Sequence, residues 1–339
     1  MRKGLFPPLR LKFLLHTMPI LPSKYQGPPF LYLNGHFETI IPSIRRKVVG
    51  VTYERERIET PDDDFLDIDW IRKGNNRLLV VSHGLEGDSG RHYVTGLAKL
   101  FVQNGWDILA WNNRTCSGEM NRQKILYHHA ASYDLRTVID HANQKHSYDQ
   151  ISLVGISMGG GQTLRYLGEA PDFPLPKNLT GAVAISAPCS LIESAATLNL
   201  RVNKVYEQKF LKKLREKIKK KAIQFPEIDV SRMDKVKTLK EFDNLYSGPI
   251  HGFKDAKEFY AFCDPYPFIK NIEVPVLLIN ALNDPLLEGD CYPYQLAEEM
   301  PNLYLETPKR GGHVGFTLPN NEFTYSELRA LEFLNEEKG

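Results

Sequence analysis

The stretch Ile151-Ser152-Leu153-Val154-Gly155-Ile156-Ser157-Met158-Gly159-Gly160-Gly161 decides the fold. Ile151–Val154 is a short, nearly continuous apolar run, as carried by parallel strands buried on both faces. Gly155-Ile156-Ser157-Met158-Gly159 spells GxSxG, and a helix candidate, Gln162–Leu167, follows it. A serine on a sharp strand-to-helix turn needs residues without side chains two places before and two places after it, because a Cβ there would collide with the turn. The helix behind the serine aims its positive N-terminal end at the place where an oxyanion would develop. By composition alone GxSxG arises in about one chain in ten of this length. The strand before it and the helix after it are therefore what make Ser157 a candidate nucleophile.

Similar apolar runs lie on either side: Leu78-Leu79-Val80-Val81, Ile108-Leu109-Ala110-Trp111, Ala182-Val183-Ala184-Ile185 and Val276-Leu277-Leu278-Ile279. Helical stretches such as Tyr93–Asn104 and Ser132–Asn143 separate the early ones. This alternation predicts a mostly parallel, doubly wound α/β sheet. Val48–Ile58 and Phe65–Ile71 alternate apolar and polar residues around a Pro61-Asp62-Asp63-Asp64 turn, which predicts a half-exposed antiparallel hairpin. Residues 1–47, rich in proline, read as an irregular arm. From Pro188 to Pro275 no comparable strand occurs, whereas Leu191–Asn199 and Val202–Ala222 look helical. A structureless loop of that length would be unusual. Residues 189–271 are expected to form a helical cap inserted in a core made of 48–188 and 272–339.

A serine hydroxyl needs a base, and the base an orienting acid. When the nucleophile sits on a strand-to-helix turn of this kind, chain order runs Ser, then Asp or Glu, then His. Asp284, in Asn283-Asp284-Pro285, lies just beyond a buried strand, where the ligand-facing residues of open α/β sheets collect. Asp290 is the competing acid six residues on. Gly311-Gly312-His313-Val314-Gly315-Phe316 sets His313 in a glycine-flanked loop after the last strand candidate, Leu303–Glu306. The backbone N–H groups of Met158 and of Leu85, in His83-Gly84-Leu85-Glu86-Gly87, are the expected oxyanion donors. His83 itself reads as a hydrogen-bonding shaper of that loop.

Composition sets the surroundings. The 339 residues are 42% hydrophobic and 25% charged with a net charge of +2, which provides no general case for nucleic-acid binding. Cys116, Cys189, Cys263 and Cys291 lie far apart and at no zinc-ligand spacing, which reads as four reduced thiols in a cytoplasmic protein. Pro7, Pro8, Arg10, Lys12, His16 and Pro19 interrupt the N-terminal apolar residues, so neither a bilayer span nor a secretory signal is expected. His128 and His129 are adjacent, the wrong spacing for two ligands of one metal on a helix, and no metal or cofactor is expected. His129 and Asp134 spell HxxxxD, a pattern of some acyltransferases; far in sequence from Ser157, it reads as coincidence. Lys209, Lys212, Lys213, Arg215, Lys217, Lys219, Lys220 and Lys221 crowd one helix, with Phe210, Leu214, Ile218 and Ala222 every four residues. That predicts an amphipathic helix with a solvated basic face, or one that meets anionic lipid surfaces or acidic substrates.

Taken together, Asn34-Gly35-His36-Phe37-Glu38-Thr39, His83–Gly87, Asn112-Asn113-Arg114-Thr115-Cys116-Ser117-Gly118-Glu119, Gly155–Gly159, Asn283–Pro285 and Gly311–Phe316 resemble the YheT-like branch of the α/β-hydrolases. That branch also includes mammalian ABHD-type lipases and yeast medium-chain alcohol acyltransferases. Asp243, Gly252-Phe253 and Tyr260 add to the likeness, which spans about residues 30–335. The resemblance implies an α/β-hydrolase fold, a triad of Ser157, Asp284 and His313, and activity on acyl esters, with Asn112–Glu119 a structural loop near the site. The expected reaction is hydrolysis of short- or medium-chain carboxylic esters through an acyl-enzyme. Acyl transfer to an alcohol by the same triad and a non-catalytic binding role are the alternatives.

Overall fold

A computed structural model of the chain describes residues 19–28 and 32–336. The apolar runs pair into one nine-stranded sheet. In chain order its strands are β1 (Ile20–Leu21), β2 (Glu54–Glu59), β3 (Phe65–Ile71), β4 (Arg77–Ser82), β5 (Asp107–Trp111), β6 (Gln150–Ile156), β7 (Leu179–Ile185), β8 (Val276–Ile279) and β9 (Leu303–Glu306). Their spatial order is β1-β9-β8-β7-β6-β4-β5-β3-β2, parallel except where β3 pairs with β2 and with β5. Strand order reverses at the β4–β6 pair, where Ser82 sits opposite Gly155. The connections leaving these two strands diverge, and a crevice opens between them at the carboxyl ends.

Along each central strand the side chains alternate between two cores. Leu78, Val80, Leu153, Ala182 and Leu278 face one, shared with α3 (Ser132–Lys145) and α4 (Met158–Gly168); Leu79, Val81, Val154, Val183 and Leu277 face the other, shared with α2 (His92–Gln103) and the C-terminal helix Tyr325–Asn335. Continuous apolar runs are what a sheet covered on both faces requires. Each fully buried Leu, Ile or Val adds roughly 1.5–3 kcal/mol.

Between β7 and β8 the chain forms helices and no strand: α5 (Leu191–Leu198), α6 (Lys204–Gln224), α7 (Leu239–Phe242), α8 (Gly248–Ile250), α9 (Ala256–Cys263) and α10 (Tyr266–Ile269). A π-helical turn, Asp243–Ser247, joins α7 to α8. Leu211, Ile218, Met233, Phe242 and Tyr246 give this segment a small core of its own.

Three local expectations need correction. The arm is not irregular throughout: β1 extends the sheet beside β9, and Gly35–Arg45 forms α1, whose cap residue Asn34 accepts from the His36 and Phe37 amides at 3.0 and 3.2 Å. Residues 1–18 and 29–31 of the arm lie outside the described residues. The first hairpin strand begins at Glu54 rather than Val48, since Glu54 already pairs with Trp70 and β3 ends one residue later. Nor is β3 half exposed. Its alternating charges Asp67 and Asp69 are buried under bidentate pairs from Arg57 and Arg55 of β2, so a pattern that resembled a solvent face is an ion-paired interior.

Candidate functional site

Ser157 stands at the turn from β6 into α4 with φ +55° and ψ −122°, a conformation that non-glycine residues rarely adopt. Its amide donates to the Ile185 carbonyl at 2.9 Å, and the buried helix α4 starts at the next residue. The flanking glycines are required by contact. A Cβ on Gly159 would overlap the Ser82 carbonyl of β4, and one on Gly155 would overlap the Gly159 carbonyl. The strain at Ser157 is thus held by backbone packed on both sides.

Two further strand ends complete the arrangement. Asp284 follows β8 and His313 follows β9, and the register Ile185–Ile279–Glu306 brings both loops to the carboxyl edge that Ser157 occupies. His313 Nδ1 lies 2.8 Å from Asp284 Oδ2, and Nε2 lies 2.8 Å from Ser157 Oγ. A carboxylate only accepts, so Nδ1 carries the proton and Nε2 is free to accept from the hydroxyl. Asp284 is fully buried and its other oxygen accepts from the Leu286 amide at 2.9 Å. Asp290, the competing acid, is exposed in a short 3₁₀ turn, with its amide bonded to Glu193.

What holds these two loops together is α1. Glu38 is buried at 1% exposure and receives the Asn283 side-chain amide at 3.0 Å, the Gly311 amide at 2.5 Å and the Arg310 guanidinium at 2.8 Å. Thr39 Oγ1 accepts from the His313 amide at 2.8 Å. Asn283 Oδ1 accepts from the Gly312 amide at 3.0 Å. Gly35 packs so closely on the Asn283 carbonyl that any side chain there would overlap it. Sequence reasoning singled out Asn34–Thr39 only as part of a family likeness. No local signal could reveal a contact made across some 245–274 residues.

The loop after β4 packs Gly84 against Ser157, where a Cβ on Gly84 would lie 3.0 Å from the Ser157 Cβ, and Leu85 lines the same cavity as Ser157. Glu86, next along, has φ +56° and is pinned: its carboxylate pairs with Lys217 of α6 at 2.8 Å and receives the Tyr127 hydroxyl at 2.6 Å, while its carbonyl receives Lys213 Nζ at 2.9 Å. His83 is wholly buried. Nε2 accepts from the Asn113 amide at 3.1 Å, and Nδ1 donates to the Gly84 carbonyl at 2.8 Å. Burial pushes its pKa down to about 4, which keeps the ring neutral. Both ring nitrogens are occupied in shaping the loop. Asn112–Glu119 lies against it: beside the Asn113–His83 bond, Arg114 binds Asp62, Asp64 and Asp134. Asp134 of the HxxxxD pattern is thereby engaged in an ion pair, with no hydrogen bond to His129 among the described residues. Among the described residues, no three His, Cys, Asp or Glu side chains gather as a metal site would require.

Two cavities meet at Leu85. One is lined by Ser157, His313, Val314, Arg91, Lys209 and Lys213, among others. The second lies under the helical segment, lined by Met158, Leu191, Leu198, Leu214, Leu239 and Phe259, with the Tyr260 hydroxyl bonded to Asp243 at 2.6 Å in its wall. The expectation of a solvated basic face on α6 holds only in part. Lys213, Lys217 and Lys221 recur every four residues and turn inward, Lys221 being buried with Nζ on the carbonyls of Asn121 and Gln123. Lys209, Lys212, Lys219 and Lys220 stay exposed.

Comparison with known proteins agrees with this fold. The family described as alpha/beta hydrolase fold matches residues 77–318. The putative esterase YheT of Escherichia coli (strain K12) is 30% identical over 293 residues, covering 84% of this chain and 85% of that protein. Human phospholipase ABHD3 is 25% identical over 316 residues, covering 90% and 76%. Among solved structures, the Pyrococcus furiosus esterase Pf2001 superposes with a TM-score of 0.55 at 18% identity, covering 85% of this chain and 97% of that one, a likeness of fold. No helix among the described residues is long and apolar enough to cross a membrane.

Proposed function

The chain belongs to the α/β-hydrolase family, in the branch that holds the E. coli protein YheT, and on that premise we propose that it cleaves carboxylic esters of short or medium acyl chains with Ser157 as nucleophile. The observation that supports this most directly is the unbroken pair of 2.8 Å contacts from Asp284 through His313 to Ser157 Oγ.

In this reading His313 Nε2 takes the Ser157 proton as Oγ adds to the ester carbonyl, and buried Asp284 stabilises the imidazolium so formed. The Met158 amide, first in α4, and the Leu85 amide hold the oxyanion. His313 then hands its proton to the leaving alkoxide, and water activated by the same ring releases the acid. The cavity under the helical segment, here acting as a cap, receives the acyl chain. The four free cysteines, three of them buried, fit a reducing compartment, so a cytosolic location is part of the proposal.

Labelling by a fluorophosphonate probe tests the nucleophile: the wild type is expected to react and Ser157→Ala not to. Equal labelling of both, or of neither, overturns the assignment. Turnover of p-nitrophenyl esters from two to sixteen carbons is expected to peak at short or medium chains. Product analysis with ethanol present separates hydrolysis from acyl transfer.

A further inference from the structure

Ester cleavage divides a substrate into two halves; Ser157 and His313 line one cavity, and Met158, the residue after Ser157, lines the other. The base determines which half goes where. His313 must reach the leaving oxygen to protonate it, so the alcohol departs on the side of the cavity that His313 and Val314 line. The acyl group then points the other way, past Met158 into the cavity under the cap, where Leu191, Leu198, Leu214, Leu239 and Phe259 offer apolar surface and the charged groups Glu207, Asp243 and Lys240 bear both signs.

The alcohol-side cavity is not neutral. Arg91, at the start of α2, and Lys209 and Lys213, on α6, line it together. Glu86 is the one carboxylate among its described lining residues, and that group is already bound to Lys217 and the Tyr127 hydroxyl. Among the described residues no carboxylate pairs with Arg91, Lys209 or Lys213, whereas Lys204, Lys217 and Lys219 of the same helix each have one. Lys209 is exposed at the cavity rim; partial desolvation there, and then the neighbouring charges of Arg91 and Lys213, hold its pKa below its ordinary value. Like charges gathered without a counter-charge are unfavourable in the empty site and become favourable when an anion enters.

We propose that the alcohol half of the substrate carries an anionic group, a phosphate or a carboxylate, and that Arg91, Lys209 and Lys213 bind it beside His313. The inference rests on the ester-cleavage reading and names the substrate class for it. The cavity under the cap receives the acyl chain, and the cations of the other cavity select the alcohol.

The test compares octanoyl esters of ethylene glycol, 2-hydroxyethyl phosphate, 3-hydroxypropanoate and choline, which share an acyl chain and differ at the end of a short alcohol. kcat/KM is expected to be at least tenfold higher for the better of the two anionic esters than for the glycol ester, and lowest for the choline ester. The better anion identifies the group. The anionic-to-glycol ratio is expected to fall severalfold in Lys209→Gln and at least tenfold in the R91Q/K209Q/K213Q variant, to survive in K209R/K213R, and to shrink as salt rises. Turnover of the glycol ester without preference for either anion overturns the proposal, as does a ratio the Gln variants leave unchanged. Phosphonate labelling of Ser157 with turnover of none of the four esters also overturns it. Absence of both labelling and turnover defeats the ester-cleavage reading itself, and the proposal with it.

Discussion

Replacement of Glu38 probes whether α1 is part of the machinery or only of the fold. Its carboxylate joins the Asp284 side of the site, through Asn283, to the His313 side, through Arg310 and Gly311. In Glu38→Gln the amide retains one oxygen, which stays with the buried Gly311 amide and the Asn283 side chain, both of which already share one carboxylate oxygen. The new NH₂ then faces Arg310, whose side chain is 37% exposed and can turn outward. One charge-assisted contact is lost, about 1.5–3 kcal/mol. Glu38→Ala also strands the buried Gly311 amide and the half-buried Asn283 side chain, and the loss is expected to reach about 3–5 kcal/mol. Displacement of the acid and base loops by about 1 Å costs about 10²-fold in rate. kcat on a p-nitrophenyl ester is therefore expected to fall about tenfold in Glu38→Gln and about a hundredfold in Glu38→Ala, with KM nearly constant. Denaturant midpoints and kcat should be measured on the same preparations, the latter well below the unfolding transition. A Glu38→Ala enzyme that unfolds more easily yet keeps kcat within twofold would refute the reasoning and leave α1 as a brace for stability alone.

Three other outcomes follow from contacts already described. Gly159→Ala places a Cβ 2.6 Å from the Ser82 carbonyl carbon and is expected to cost more than about 3 kcal/mol or to abolish soluble expression; Gly161→Ala, whose nearest neighbour would be 3.6 Å away, is expected to gain about 0.5–1 kcal/mol in a chemical melt. His83 is held neutral with a pKa of about 4 against about 6.5 unfolded, so the unfolded chain binds more protons between those values. Its contribution is therefore complete above pH 6.5 and lost on acidification toward pH 4, by about 3 kcal/mol. Because other histidines are also buried, the check is the difference in stability slope between the wild type and His83→Gln; equal slopes would refute it. Lys217→Met leaves Glu86 buried without its cation, for which about 3–5 kcal/mol of lost stability and a reduced kcat are expected, since Glu86 anchors the Leu85 loop. The double variant E86Q/K217M should recover part of the stability.

The sequence by itself determined the sheet, the nucleophile turn and the order of the three site residues. Those features are written locally. Residues such as Leu78–Val81 and Val276–Ile279 are apolar at every position because both faces are covered, and Ser157 must have glycine two places either side because β4 passes against Gly159 and the Gly159 carbonyl against Gly155. Tertiary structure decided what depends on neighbours distant in the chain. Asp284 rather than Asp290 faces His313 because the chain turns straight after β8, which no composition reveals. The alternating charges of β3 look like a solvent face until Arg55 and Arg57 lie over them, since alternation records which residues share a side and not what covers it. The lysines of α6 count as one basic run in the sequence. Folding divides them into buried anchors, solvated charges and the cations beside His313, because burial and pairing are properties of the surroundings that folding creates.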